Sequence, residues 1–317
     1  MGRVLVTGAV GQIGSELVPA LRRRYGDDDV VASDVRVPDD EALRGGGPFE
    51  IVDCAEPGAV ERAVRKHGVD RIVHLAAMLS ARAEAEPQRA WSVNVGGLMN
   101  ALEAAREHRC ALFFPSSIGV FGPSTPRRMT PQVTVQRPTT IYGVSKLAGE
   151  LLCDWYFRRF GVDARGVRFP GLVSFRTPPG GGTTDWAVAI YRAAVEEGRY
   201  TCYLRADSQL DMMYMPDALR AVVELMEAPA ARLRHRNAYN VAAMQLTPER
   251  VAAEIRRHLP DFQIDYRVDP LRQAIADSWP ESVDDGAARE DWRWQSRFTL
   301  ETMTFDMLDH LGRRERS

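Results

Sequence analysis

Nothing in this sequence marks a membrane span, a disulfide framework or a nucleic-acid surface. Its longest apolar runs are of strand length, well short of the roughly 20 residues that a bilayer core demands. Its four cysteines, Cys54, Cys110, Cys153 and Cys202, are scattered. None forms a Cys-x-x-Cys pair and no histidine cluster accompanies them, so neither a zinc site nor a set of staples is expected, and a reducing cytoplasm fits. The 41 Lys and Arg stand against 43 Asp and Glu, a net charge of −2. No basic field invites nucleic acid, and no acidic arm stands out. Arg3–Thr7 is already a strand, with no leader read before it, which leads to the expectation of a soluble protein retained in the cytoplasm.

What is present is an alternation of strand and helix signals. Apolar runs at Arg3–Thr7, Val30–Asp34, Phe49–Asp53, Arg71–Leu75, Ala111–Pro115 and Ala164–Phe169 show little period-2 patterning, as strands do when both faces are covered. Between them lie helical stretches near Ser15–Tyr25, Glu56–His67, Pro87–His108 and Tyr142–Phe160. Repeated βα units predict an α/β fold, a doubly wound parallel sheet of the Rossmann type with a smaller C-terminal substrate lobe. The expected division is residues 1–170 as the dinucleotide-binding domain, with 210–245 returning to it, and 171–209 plus 246–317 as the lobe. Helices are expected over Asp185–Glu197, Asp217–Glu227 and Thr247–His258, the last with Thr247 as its N-cap. Gly180–Gly182 reads as a hinge or lid. Trp279, Trp292 and Trp294 read as packing residues of the lobe.

The first strand ends in Thr7-Gly8-Ala9-Val10-Gly11-Gln12-Ile13-Gly14. Gly8 permits a tight turn, Gly11 lets backbone approach a pyrophosphate, and Gly14 lets the helix pack against the strand. With Gln12 and Ile13 between them, these residues present helix N-terminal N–H groups to phosphate. Asp34 ends the second strand 20 positions beyond Gly14. A carboxylate there accepts both ribose hydroxyls and repels a 2′-phosphate, so the expected cofactor is NAD. Arg36 nearby weakens that preference. Asp53 and Cys54 close the third strand, where the adenine is expected, and Leu75, Ala76 and Ala77 leave room for the centre of the cofactor. Asn94 and Phe169 complete the expected cofactor set.

Tyr142-Gly143-Val144-Ser145-Lys146 puts a phenol and an ammonium on one helix face. The neighbouring cation is expected to favour the phenolate, which then takes a hydroxyl proton while hydride leaves the same carbon. Ser117, just past the fifth strand, is expected to hold the substrate oxygen.

Together the Gly8–Gly14 turn, Leu75-Ala76-Ala77, Asn94-Val95-Gly96-Gly97, the Ser117 turn and the Tyr142–Lys146 pair resemble the extended short-chain dehydrogenase/reductase family. Many of its members act on nucleotide sugars. Such enzymes usually carry an Asn after the strand that follows the Tyr-Lys helix, where this chain has Val167–Ser174. They also carry a diphosphate-gripping Arg where this chain has the methionine-rich Gln209–Ala218, which holds no cation. That stretch, together with Gly180–Ala187, Ser116–Pro123, Thr140–Lys146 and Ala276–Pro280, resembles instead the L-threonine 3-dehydrogenase branch. One departure is Asp211, where that branch has Pro. The resemblance implies oxidation of the 3-hydroxyl of L-threonine by NAD to 2-amino-3-oxobutyrate, with Ser80 and Thr184 facing the substrate. It also implies a homodimer built on the helices near 87–108 and 142–160. A nucleotide-sugar epimerase or dehydratase, and a non-catalytic NAD sensor, are the alternatives.

Overall fold

In this structure, a computed structural model that describes residues 2–178 and 182–314, the Val- and Ile-rich segments form a seven-stranded sheet. Its strands are β1 (Arg3–Thr7), β2 (Val30–Asp34), β3 (Phe49–Ile51), β4 (Val69–His74), β5 (Ala111–Ser117), β6 (Ala164–Phe169) and β10 (Tyr239–Asn240), in the order β3-β2-β1-β4-β5-β6-β10. The β1–β2, β1–β4, β2–β3 and β4–β5 pairs are parallel. The strand order reverses between β1 and β4. In open α/β sheets a ligand crevice opens at such a point, beyond the carboxyl ends of the strands.

Helices connect these strands: α1 (Gly14–Tyr25), α2 (Glu41–Arg44), α3 (Ala59–His67), α4 (Ser80–Ala85), α5 (Pro87–Trp91), α6 (Gly97–His108) and α7 (Ile141–Phe160). Leu5, Val31 and Ile72 from the sheet pack with Val60 and Val64 of α3, Leu98 and Leu102 of α6 and Cys153 and Tyr156 of α7. Full burial of each such aliphatic side chain is worth about 1.5–3 kcal/mol. The expected helix over Pro87–His108 is interrupted: Ser92–Gly96 forms a widened π turn between α5 and α6. The reason lies in Asn94, whose side-chain amide is drawn inward to the backbone of Met78.

The chain divides into two compact units. The first is residues 1–120, 140–168 and 219–239, and the second is 121–139, 169–218 and 240–317. Residues 121–139, 169–170, 210–218 and 240–245 group with the second unit, where the sequence division had put them in the first. Within that unit Thr130 bridges Val283, and Arg127 and Arg128 pair with Glu281. These are long-range contacts without periodicity in sequence.

In the second unit β9 (Leu210–Tyr214) lies between β7 (Gly171–Val173) and β11 (Met244–Leu246), while β8 (Arg199–Cys202) pairs with β12 (Gln263–Tyr266). Its helices are α8 (Trp186–Glu196), the start of α9 (Met215–Glu227), α10 (Pro248–Arg256), α11 (Pro270–Asp277), α12 (Gly286–Trp292) and α13 (Leu300–Arg314). Thr247 caps α10 as expected, accepting from Arg250 N at 3.2 Å. Trp279, Trp292 and Trp294 are buried, and so serve packing. Among the described residues, no helix is long and apolar enough to cross a membrane.

Candidate active site

The glycine turn leaves β1 with Gly8 at φ +68°, a conformation that L side chains rarely adopt. A Cβ on Gly8 would lie 2.7 Å from Ala76 N, and one on Gly14 would lie 2.4 Å from Gly8 O. Both neighbours are backbone, so a side chain at either position would push apart the turn, β4 and α1. Gly11 N donates to Gly8 O at 3.0 Å and Ser15 N to Gly11 O at 2.9 Å, which closes the turn on itself. The N-cap of α1 is Ile13, whose side chain makes no cap hydrogen bond. First-turn N–H groups of a helix have no partner within it, and with the dipole they form an anion seat.

Asp34 ends β2 and is buried to 8% exposure. Its Oδ2 accepts from Val10 N at 3.0 Å and its Oδ1 from Arg36 N at 3.2 Å, so the carboxylate is aimed at the glycine turn. The Arg36 guanidinium is exposed, 3.8 Å away, and such a pair is weak in water. Leu75, Ala76 and Ala77 are half-buried just past β4, with Leu75 N donating to Thr7 O at 3.1 Å. Asp53 is exposed and accepts from Ala55 N at 2.9 Å. Cys54 points into the core against Thr7. Burial pushes its thiol up to about 12, so it is chemically quiet. His74 is buried beside Thr7, with Nδ1 3.0 Å from Thr7 Oγ1. Burial pulls its imidazole down to about 3, so it stays neutral. The turn, the aimed carboxylate and the small residues beyond β4 fit a dinucleotide.

The second group of residues is held by α7. Thr140 caps it, accepting from Gly143 N at 3.0 Å. One turn separates Tyr142 from Lys146, and the ammonium lies 5.8 Å from the Tyr142 ring centroid and 4.8 Å from that of Phe114. Lys146 Nζ donates to Pro115 O at 2.8 Å. Ser117, at the end of β5, accepts from Gly119 N at 3.1 Å and lies beside the Tyr142 side chain, whose phenol it pulls down. Burial pushes the phenol up to about 12, against the pull of Ser117, and lowers the ammonium to about 8. The protein alone therefore does not favour the phenolate as the spacing suggested. The ammonium rests on a carbonyl and over ring faces, and burial dominates at the phenol oxygen.

Beneath this pair lies a network that sequence reasoning missed. Ser116 donates to Glu150, one further turn along α7 from Lys146, and Arg168 of β6 pairs with Glu150 at 2.9 and 2.8 Å. Both charged groups are buried. Charged residues scattered in sequence give no signal of such a pairing. The network ties α7 to the ends of β5 and β6, and removing one partner would strand a buried charge.

Asn94 accepts from Met78 N at 2.7 Å and donates to Met78 O at 3.1 Å and Ser145 Oγ at 3.0 Å. Its amide thus braces the segment before α4, which Ser80 opens in a buried position.

Phe169 and Thr184 belong to the second unit. Phe169 is buried at the end of β6. Thr184 is half-buried, and its Cγ2 lies 2.7 Å from where a Cβ on Gly171 would stand, which explains glycine there. The N-cap of α8 is Asp185, whose side chain accepts from Gly182 N at 2.8 Å and makes no bond to the helix's own N–H groups. Of the expected Gly180–Gly182 hinge, Gly180 and Gly181 lie outside the described residues. Met212, Met213, Tyr214 and Met215 are fully buried, which leaves that stretch no surface for a diphosphate.

Asp211 lies within β9, fully buried, accepting from Val283 N at 3.2 Å and Ala243 N at 3.4 Å. Burial raises its carboxyl to about 7, with Asp285 adding to the rise and the two N–H groups opposing it. A carboxyl raised in the folded state holds its proton more tightly there than in the unfolded chain. Its contribution to stability is therefore lost as pH climbs from the ordinary carboxylate range through about 7. Melting temperature is expected to fall by a few degrees between about pH 5 and about pH 8, and Asp211→Asn to flatten that slope. Parallel slopes in thermal melts of the two proteins would remove Asp211 as the cause.

The model of the NAD dependent epimerase/dehydratase family matches residues 4–242. An uncharacterized epimerase/dehydratase of Staphylococcus saprophyticus is 52% identical over 317 residues, 100% of this chain and 99% of its own. Among solved structures, an L-threonine dehydrogenase from Clostridium difficile is 52% identical, with 99% of this chain and 98% of that chain covered and a TM-score of 0.97. A monomeric L-threonine 3-dehydrogenase from a metagenome is 44% identical over 98% of this chain and 99% of that chain, with a TM-score of 0.94.

Proposed function

The chain belongs to the NAD-dependent epimerase/dehydratase family, and from that premise we propose that it oxidises the 3-hydroxyl of L-threonine with NAD, giving 2-amino-3-oxobutyrate, NADH and a proton. The observation that carries the reading is the grouping of Tyr142, Ser117 and Lys146 on α7 and the end of β5, in a chain alike over nearly its whole length to solved L-threonine dehydrogenases. In this reading the first unit binds NAD and the second is the substrate lobe.

When bound, NAD supplies the hydride acceptor and a positive ring charge that favours the phenolate. Tyr142 takes the proton of the 3-hydroxyl as hydride leaves C3. Ser117 orients the oxygen by hydrogen bonding. Lys146, anchored on Pro115 O, holds the nicotinamide ribose. Gly8, Gly11, Gln12, Ile13 and Gly14 seat the pyrophosphate and Asp34 the adenosine ribose. Asp53, Cys54, Leu75, Ala76, Ala77, Asn94 and Phe169 frame the rest of the cofactor, Asn94 through the Met78 segment it braces. Ser80 and Thr184 bind the amino acid. The test is NADH formation with L-threonine beside L-serine, L-allo-threonine and a UDP-sugar. A rate with L-threonine well above the others supports the reading. NAD binding without NADH from any substrate would favour a sensor, and UDP-sugar turnover without net NADH an epimerase.

We also place the protein in the cytoplasm as a homodimer. Val144, Leu151 and Trp155 expose one apolar face of α7, and Met99 of α6 and Trp91 of α5 are exposed as well. Sedimentation is expected to give a dimer, and Trp155→Glu a monomer. A monomeric unmodified protein, like the metagenomic relative, would contradict this.

A further inference from the structure

The start of the catalytic helix is held by a carboxylate from elsewhere in the chain. Backbone N–H groups in a helix's first turn have no partner within the helix. Here Gly143 N donates to the Thr140 side chain at 3.0 Å, and Val144 N makes the first helical bond, to Thr140 O at 2.9 Å. Ile141 N donates to Glu84 Oε1 at 2.7 Å, and Tyr142 N lies 3.5 Å from the same oxygen. Glu84 is on α4, the helix that Ser80 opens.

Apolar packing joins the same elements. Met78, Ala83 and Ala90 form a buried cluster against which Ile141 and Tyr142 pack. Asn94 fixes the other end of the segment through Met78 N and O, and reaches α7 through Ser145. The stretch from Met78 to Glu84 is thus tied at both ends to the helix that carries Tyr142 and Lys146, with Ser80 between the two ties.

We propose that Glu84 is a positioning residue: its carboxylate ties α4, with Ser80, to the first turn of α7, so that contact with substrate at Ser80 and placement of the Tyr142 hydroxyl are coupled. The role of Ser80 rests on the function proposed above. The tie itself rests on the two backbone N–H groups. A phenol shifted by a fraction of an ångström from its reacting hydrogen loses rate steeply, whereas NAD seated on the glycine turn is unaffected.

The experiment compares Glu84→Ala, Glu84→Gln and the unmodified protein, all with saturating NAD. Two readouts are taken: kcat and KM for L-threonine, and hydrogen exchange at the Ile141 and Tyr142 amides. Glu84→Ala is expected to lower kcat about tenfold or more and to speed exchange at both amides, while KM for NAD, taken from a separate titration of the cofactor at fixed L-threonine, stays unchanged. Glu84→Gln keeps an acceptor oxygen and is expected to restore kcat to within about threefold and to restore protection. L-threonine is expected to slow exchange at these amides further in the unmodified protein. An Ala variant with unchanged kcat, or a Gln variant as impaired as Ala, overturns the proposal, even if either melts at a lower temperature. Should the unmodified protein not oxidise L-threonine, the functional reading falls separately. The amide exchange of the Ala variant without substrate then decides the tie: unchanged exchange overturns it.

Discussion

Tyr142→Phe is expected to lower kcat for L-threonine oxidation by a factor of about a hundred to ten thousand, with NAD affinity nearly unchanged. The argument is local. The phenyl ring keeps its packing against Met78, Ala83 and Ala90 and its place near the Lys146 ammonium, so the fold of α7 has no reason to change. What is lost is the hydroxyl beside Ser117 that, in the function proposed above, takes the substrate proton. Burial raises that phenol to about 12, so its basic form is scarce at neutral pH. The rate of the unmodified protein should therefore climb with pH over the neutral and mildly alkaline range, and the residual rate of the variant should not follow the same curve. Steady-state kinetics with a parallel NADH-binding titration separates the two effects. Retained turnover would remove Tyr142 as the base. Lost NADH binding would mean that the ring holds the cofactor site together.

The second large effect is on cofactor choice. Asp34→Ala is expected to lower the ratio of kcat/KM for NAD to that for NADP by about a hundredfold, since two charge-assisted hydrogen bonds are worth about 1.5–3 kcal/mol each. Two backbone donors, Val10 N and Arg36 N, hold the carboxylate in place. Its remaining lone pairs can accept ribose hydroxyls, and its charge opposes a 2′-phosphate. In the variant the Arg36 guanidinium, now 3.8 Å from the carboxylate and exposed, is released to meet that phosphate. Part of the loss with NAD will come from the glycine turn, because Val10 N loses its acceptor. An unchanged ratio would exclude Asp34 from ribose recognition.

The parts of this molecule that were legible in sequence are those governed by local rules. Strands β1, β2 and β6 begin and end where their apolar runs do, and α10 starts at its Thr247 cap. The glycine turn was readable because only glycine tolerates backbone at 2.4–2.7 Å from its Cβ position. Tyr142 and Lys146 were readable because helix geometry alone puts positions four apart on one face. The rest depends on distant partners. No periodic signal foretold the π turn at Ser92–Gly96, which follows from the grip of Asn94 on Met78, 16 positions earlier. Glu84, Glu150 and Arg168 look like ordinary surface charges in the sequence, yet one caps the catalytic helix and the other two pair in the interior beneath it. The direction in which Tyr142 titrates was also beyond reach, since spacing shows the nearby charge of Lys146 but not the burial that sets the phenol.

The central claim is that the bond broken lies at C3 of L-threonine and that its hydride goes to NAD. The most direct measurement is turnover of L-threonine carrying deuterium at C3, with the reduced cofactor analysed by mass spectrometry. The account predicts that every NADH formed carries one deuterium and that kcat/KM falls relative to ordinary L-threonine. Reduced cofactor without deuterium, or none at all in protein that binds NAD, would contradict it.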